Sequence, residues 1–157
     1  VTTVVAKLFN LAQPDHAYFG QKDAQQAEVL KRMVKDLFFN VKLRIMPIVR
    51  EADGLAKSSR NTYLSKSERA AAVILNSSLE TASMLFKAGE RSSQKLVEGV
   101  KKLIGDEPMA QIDYVEIYAL PGLTPAPEVL TKGQYLLALA VKFGTTRLID
   151  NVILEVE

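Results

Sequence analysis

An α/β chain in two parts is predicted: half of a doubly wound parallel sheet over residues 1–49, then a small α+β domain over 50–157 with a three-stranded antiparallel sheet. Three observations predict it. Helical and extended periodicities alternate helix, strand, helix, strand through the first part. Two helical stripes then precede three extended runs in the second part. Gly144-Thr145-Thr146 separates the last two of those runs as a tight hairpin would.

The elements follow in order. Thr2 or Thr3 can cap a first helix whose apolar face is Val4, Val5, Leu8, Phe9 and Ala12, and Pro14 stops it. Ala17-Tyr18-Phe19 reads as a short buried strand, with Gly20 supplying freedom to the turn after it. Residues 22–37 carry Ala27, Leu30, Val34 and Leu37 at helical spacing. Val41, Leu43 and Ile45 alternate with Lys42 and Arg44 as a strand, and Asp53-Gly54 marks a turn. Ser65 and Glu68 form a capping-box pattern opening a long helix toward Lys87, with Val73, Leu75, Leu79, Ala82 and Phe86 buried. Gly89 stops it. A second helix starts near Ser92 or Ser93, buries Leu96, Val97, Val100 and Leu103, and ends at Gly105. Strands are expected over 112–118, 134–143 and 147–156, with Pro121-Gly122 and Pro125-Ala126-Pro127 as a connecting loop. Phe38, Phe39, Tyr114 and Tyr118 fall at core or sheet positions.

Composition excludes several functions. The 157 residues include no cysteine and one histidine, so disulfides, thiolate chemistry and a His/Cys metal site are out. That composition fits a cytoplasmic protein. Twenty basic and 18 acidic residues are interleaved to a net charge of +2, a poor footprint for nucleic acid or a membrane surface. The longest apolar run, residues 135–141, is too short to span a bilayer. No charged-then-apolar leader precedes the amphipathic pattern, and an opening at Val1 rather than methionine predicts a fragment.

Two segments carry chemistry. Phe19-Gly20-Gln21-Lys22-Asp23-Ala24-Gln25-Gln26 reads as a strand end turning through glycine into a helix, with Lys22 on the first turn. Backbone N–H groups and an ammonium at a helix start can hold phosphate. A competing explanation is plain capping, since Asp23 and Gln26 have that spacing. A lysine in the first turn opposes the helix dipole, however, and an anion bound there offsets that cost. Lys57-Ser58-Ser59-Arg60-Asn61 offers two hydroxyls and a guanidinium, which can wrap a pyrophosphate, although such clusters are common in solvated loops. Arg50, Glu51, Asp53 and Lys57 are ordinarily surface charge. His16 reads as a surface loop residue, and Arg147-Leu148-Ile149-Asp150-Asn151 as a strand edge with a local salt bridge.

Together these segments resemble the pantothenate synthetase (pantoate–β-alanine ligase) family. The matching pieces begin with Val1-Thr2-Thr3-Val4-Val5-Ala6-Lys7-Leu8-Phe9-Asn10, Gln13-Pro14-Asp15 and residues 19–26. They continue through Ile48-Val49-Arg50-Glu51-Ala52-Asp53-Gly54-Leu55, residues 57–61, Tyr63-Leu64, Gly89-Glu90-Arg91 and residues 146–151. The resemblance implies the C-terminal part of a Rossmann-type nucleotidyltransferase domain over 1–49 and a lid domain over 50–157. It implies ATP and Mg2+, the substrates pantoate and β-alanine, a pantoyl-adenylate intermediate, and a homodimeric full-length enzyme in the cytoplasm. It assigns ATP contacts to Gly20, Gln21, Lys22, Asp23, Val49, Lys57, Ser58, Ser59 and Arg60, and pantoate to Gln26. Lys22, Ser58, Ser59 and Arg60 are the catalytic candidates, and no residue is assigned to a metal.

One departure matters. The family's His-x-Gly-His motif has no counterpart here, and His16 is not its equivalent. The resemblance is therefore to the family's C-terminal portion, expected to be inactive alone. Lys57 stands where the family often has methionine or leucine, at a position expected to act through its backbone. The alternative from another class is a non-catalytic lid or oligomerisation module that binds nucleotide weakly.

Overall fold

The structure is a computed structural model describing residues 1–157, and the chain divides into two compact units, Val1–Ile48 and Val49–Glu157. In the first unit, α1 (Thr2–Ala12), β1 (His16–Gly20), α2 (Ala24–Asp36) and β2 (Lys42–Met46) follow one another. β1 and β2 pair in parallel from His16↔Lys42 to Gly20↔Met46. Parallel neighbours need a crossover connection, and α2 supplies it. Val1 holds the N-cap position without a side-chain bond, so Thr2 and Thr3 lie inside α1 rather than capping it. The helix ends at Gln13, left-handed at φ 44°, whose N–H donates to Phe9 O, and Pro14 bars continuation.

Phe9, Leu30 and Met33 form this unit's small core, and Phe9 meets Phe39 edge-on at 5.7 Å. Three expectations change here. β1 is not buried but alternates exposed and half-buried residues, because its sheet has only two strands. Met33, not Leu37, continues the buried stripe of α2. Phe38 is no core residue: it is 92% exposed at φ 55° in the turn leaving α2.

The second unit packs helices on one antiparallel sheet. α3 (Lys66–Ala71), α4 (Ile74–Lys87) and α5 (Ser93–Gly105) precede β3 (Ala110–Leu120), β4 (Thr124–Pro125), β5 (Gly133–Phe143) and β6 (Thr146–Val156). The sheet order is β4-β3-β5-β6. The sheet thus has four strands instead of three, since the proline-rich connector adds a two-residue edge strand to Tyr118 and Ala119. Proline suits such an edge because it has no N–H to offer a further strand.

β5 is central, and its odd-numbered residues Tyr135, Leu137, Leu139, Val141 and Phe143 join Leu75, Leu79, Leu96, Val100 and Ile104 in the main core. Ile104 rather than Leu103 is fully buried on α5. Gly144 at φ 57° and Thr145 close the β5–β6 hairpin with Phe143 opposite Thr146.

The expected long helix is broken between α3 and α4. Val73 N–H donates to Ala70 O at 3.4 Å and Leu75 N–H to Ala72 O at 3.2 Å. These three-residue steps tighten one turn, and both Ala72 and Leu75 are buried in it. No proline or glycine marks the break. At the far end, Gly89 at φ 105° donates to Phe86 O, and Glu90 N–H reaches Leu85 O, a Schellman stop.

The capping box at the start of α3 is complete: Glu68 N–H donates to Ser65 Oγ, and Ser65 N–H to Glu68 Oε2 at 2.8 Å. The Ser65 N–H and hydroxyl hold the Glu68 carboxyl below the usual carboxylate range. A carboxyl whose folded value is depressed stabilises above its unfolded value, and that contribution fades as pH falls through the folded value. Glu68→Gln is therefore expected to flatten the acid limb of a stability–pH curve, measured by urea unfolding from neutral to about pH 3. An unchanged acid limb would refute this.

Candidate functional site

The predicted residues lie on two elements, one in each compact unit. In the first, β1 ends at Gly20 and the chain enters a 3-10 turn, Gln21–Asp23, before α2 begins. Lys22 is therefore on the turn preceding the helix, not on its first α-helical turn. Gly20 has φ −77° and ψ 138°, ordinary extended backbone, so conformational freedom does not explain it. A Cβ built there meets no atom within 4 Å. Glycine at this point leaves open space at the mouth of the helix, where a ligand's oxygens can approach backbone closely.

Asp23 occupies the N-cap of α2 without a side-chain capping bond. Plain capping therefore does not account for Asp23 and Gln26. Asp23 is exposed, while Gln21, Lys22 and Gln26 are half-buried.

The second element begins with Val49, whose carbonyl accepts from Lys57 N–H at 2.9 Å. Between them Arg50 pairs with Ala56 as an antiparallel bridge, closed by Glu51 N–H to Leu55 O at 2.8 Å and Gly54 N–H to Glu51 O at 3.0 Å. Gly54 adopts φ 93°, which glycine takes without strain, and a Cβ there would crowd Asn76 Nδ2 at 2.5 Å. Leu55 and Ala56 are buried, so this hairpin is plugged into the main core.

The loop itself emerges from that anchor. Ser58 is extended and caps a 3-10 turn, Ser59–Tyr63, its Oγ accepting from Arg60 N–H at 3.2 Å. That bond uses an acceptor lone pair and leaves the hydroxyl proton to donate elsewhere. Thr62 Oγ1 donates to Ser59 O at 2.7 Å, and Asn61 Nδ2 to Ala56 O at 3.1 Å. Asn61 Oδ1 is buried without a partner. Lys57, Ser59 and Arg60 are exposed. Lys57 only approaches Glu51, at 4.0 Å, and the Arg60 guanidinium enters no ion pair. A fixed backbone thus presents a cation and hydroxyl donors outward, a combination suited to phosphate oxygens.

No group of three or more His, Cys, Asp or Glu side chains is placed to hold a metal ion. Away from these elements, Glu116 accepts from the Tyr118 hydroxyl on the face of β3 and pushes that phenol up to about 12. His16 is exposed on β1. No helix is long and apolar enough to cross a membrane.

A family profile described as Pantoate-beta-alanine ligase matches residues 1–153. The chain belongs to the pantoate–β-alanine ligase family. The pantothenate synthetase of Pelotomaculum thermopropionicum is 57% identical over 154 residues, 98% of this chain and 54% of that protein. That of Acetivibrio thermocellus is 56% identical over 156 residues, 99% of this chain and 55% of that protein. The chain spans about half the length of the curated relatives it matches.

Among solved structures, the pantothenate synthetase of Thermus thermophilus aligns at TM-score 0.87 and 39% identity, covering 96% of this chain and 54% of that one. The Francisella tularensis pantoate–β-alanine ligase, complexed with "Beta-gamma ATP" and β-alanine, aligns at TM-score 0.65 and 28% identity, over 97% of this chain and 48% of that one. The α/β architecture is thus that of the ligase family's structures.

Arg50 of the second element and Asp150 of β6 were misjudged from sequence. Arg50 is not ordinary surface charge: its guanidinium meets the Asp150 carboxylate through Nη1 at 2.6 Å and Nη2 at 3.0 Å. The partner of Asp150 is therefore 100 residues away rather than local, while Arg147 pairs instead with Asp113 at 2.8 Å. A signal existed. Asp150 shares strand parity with Leu148, Val152 and Leu154, so a carboxylate on that inward face requires a partner. Arg91, by contrast, serves the fold. Its Nη1 donates to Phe86 O at 2.6 Å, and the guanidinium stacks 4.3 Å from the Phe86 ring.

Proposed function

We propose that this chain supplies part of the ATP site of an AMP-forming ligase that condenses pantoate with β-alanine to pantothenate. The observation that carries the reading is that the family match runs unbroken through both phosphate-suited elements, the Gly20–Lys22 turn and the 57–61 loop. The neighbour solved with a nucleotide and β-alanine supports ATP and β-alanine as substrates.

In the first step a pantoate carboxylate oxygen attacks the α-phosphorus, the bond to the bridging oxygen breaks, and pyrophosphate leaves. In the second, the amine of β-alanine attacks the acyl carbon, the bond to the AMP oxygen breaks, and the amine's proton is lost. Nothing here needs a covalent enzyme intermediate, so the protein contributes positioning and charge neutralisation.

Lys22 and Arg60 neutralise the phosphates, with Ser58 and Ser59 donating hydroxyls. Gly20, Gln21 and Lys57 act through backbone, Asp23 lies near the ribose, and Gln26 bonds pantoate. Val49 offers main-chain contacts to adenine; its carbonyl already serves Lys57 but keeps a second lone pair. No residue of this chain is assigned to Mg2+, which would arrive with the nucleotide and add to the neutralisation of phosphate charge. The 1–49 segment is the C-terminal part of a Rossmann-type domain and 50–157 a lid; the whole enzyme is a cytoplasmic homodimer. With a single histidine, this 157-residue chain lacks the His-x-Gly-His turn and makes no pantothenate at a useful rate.

Calorimetric titration of the chain with ATP and magnesium tests the reading. Saturable, magnesium-dependent binding is expected, with no pantothenate formed when pantoate and β-alanine are added. Absence of binding would overturn it.

A further inference from the structure

We propose that Arg50 and Asp150 form a tether that holds the 57–61 loop in its phosphate-facing geometry, making them positioning residues; the phosphate role rests on the function proposed above. The geometry is specific. The Asp150 side chain is 1% exposed, on the edge strand β6 opposite Leu139 of the central strand. Its Oδ1 accepts from Arg50 Nη2 and from Asn151 N–H at 2.8 Å, its Oδ2 from Arg50 Nη1. The same Nη1 donates to Gly54 O at 3.0 Å. One guanidinium therefore closes the turn between Arg50 and Gly54 and locks it to the rigid sheet.

Arg50 bridges to Ala56, and Asn61 returns to bond Ala56 O at 3.1 Å. The four residues 57–60 are thus strung between two fixed points. The Ser59–Tyr63 turn packs on β6, the strand that carries Asp150.

Stability alone is a weak explanation for the pair. An apolar residue at 150, in line with Leu148 and Val152, avoids the desolvation that a buried carboxylate suffers. What the forked pair adds is direction, because the planar guanidinium fixes both the angle and the depth of its partner. Neither residue is among the assigned ligand contacts, so their influence on a nucleotide runs through the loop.

Native-state amide hydrogen exchange on the intact chain tests this, comparing wild type with Asp150→Asn, Arg50→Lys and the control Val152→Ala. Val152→Ala weakens the same strand while leaving both partners of the pair in place. Both tether variants are expected to speed exchange of the 57–61 amides about tenfold while β5 amides change much less. Val152→Ala is expected to leave 57–61 as in wild type. MgATP affinity is expected to fall about tenfold in Asp150→Asn, a residue that does not touch the nucleotide.

Acceleration of 57–61 and β5 by one common factor would mean a purely structural pair and overturn the proposal, as would unchanged 57–61 exchange. Should Asp150→Asn fail to fold, Arg50→Lys, which keeps the charge and loses the fork, decides by the same comparison. Should wild type bind no MgATP, the nucleotide reading falls, and the exchange rates still decide whether the tether exists.

Discussion

Phe143→Ala is expected to lower the unfolding free energy of the Val49–Glu157 unit by about 3–5 kcal/mol. Phe143 is 0% exposed, at the end of β5, between Ala110 of β3 and Thr146 of β6. Both neighbours are fixed by ladder bonds, so the backbone cannot close on the space left behind. The loss therefore combines removal of an aromatic burying roughly 150–250 Å² with an uncollapsed cavity. Against a usual total of about 5–15 kcal/mol, that is a large share. Urea unfolding followed by circular dichroism checks it through the midpoint. A change below about 1 kcal/mol would mean that the site repacks freely, contrary to a close-packed β5 core.

Lys22→Ala and Arg60→Ala are each expected to weaken MgATP binding by about 1.5–3 kcal/mol, or roughly 10- to 150-fold in Kd. Arg60 is exposed and enters no ion pair, so its removal should leave the melting temperature nearly unchanged. That separates a lost contact from a lost fold. Arg60→Lys should recover only part of the affinity, since an ammonium keeps the charge but not the planar fork. Raising salt should narrow the gap between wild type and variants, because exposed charges are screened over about 8–10 Å at physiological ionic strength. Wild-type affinity in both alanine variants would remove the basis for assigning phosphate to these elements.

How much of this was legible in the sequence depends on whether the deciding interaction was local. The capping box at Ser65 and Glu68, the Gly89 stop and the Gly144 hairpin are local, and each formed where its residues predicted. β5 was equally readable as a strand, but its odd-numbered stripe was not set apart, since Leu136, Ala138 and Ala140 are apolar and buried as well. The break between α3 and α4 was not: it arises from how Ala72 and Leu75 fit the core, and no helix breaker announces it. β4 was hidden in a proline-rich connector since two residues at an edge have no periodicity.

Exposure in the first unit failed for a similar reason. Apolar residues such as Leu37 and Phe38 look like core by residue type, yet with two strands there is no layer to cover them. At the site, the glycine, lysine and Ser-Ser-Arg residues stood out by type, and their phosphate chemistry is the proposal that the binding experiments test. The Arg50–Asp150 contact was not, because charges 100 residues apart can be matched only once a fold brings them together. Reading the parity of β6 would have flagged Asp150 as needing a partner without naming it.

A crystal structure of this chain with a non-hydrolysable ATP analogue and magnesium bears most directly on the central assignment. Phosphate oxygens are expected within hydrogen-bonding distance of Lys22 Nζ, with Gly20 against the ligand, or of the Ser58–Arg60 segment. An analogue bound away from both elements, or phosphates lying in solvent while the base alone is held, would contradict it.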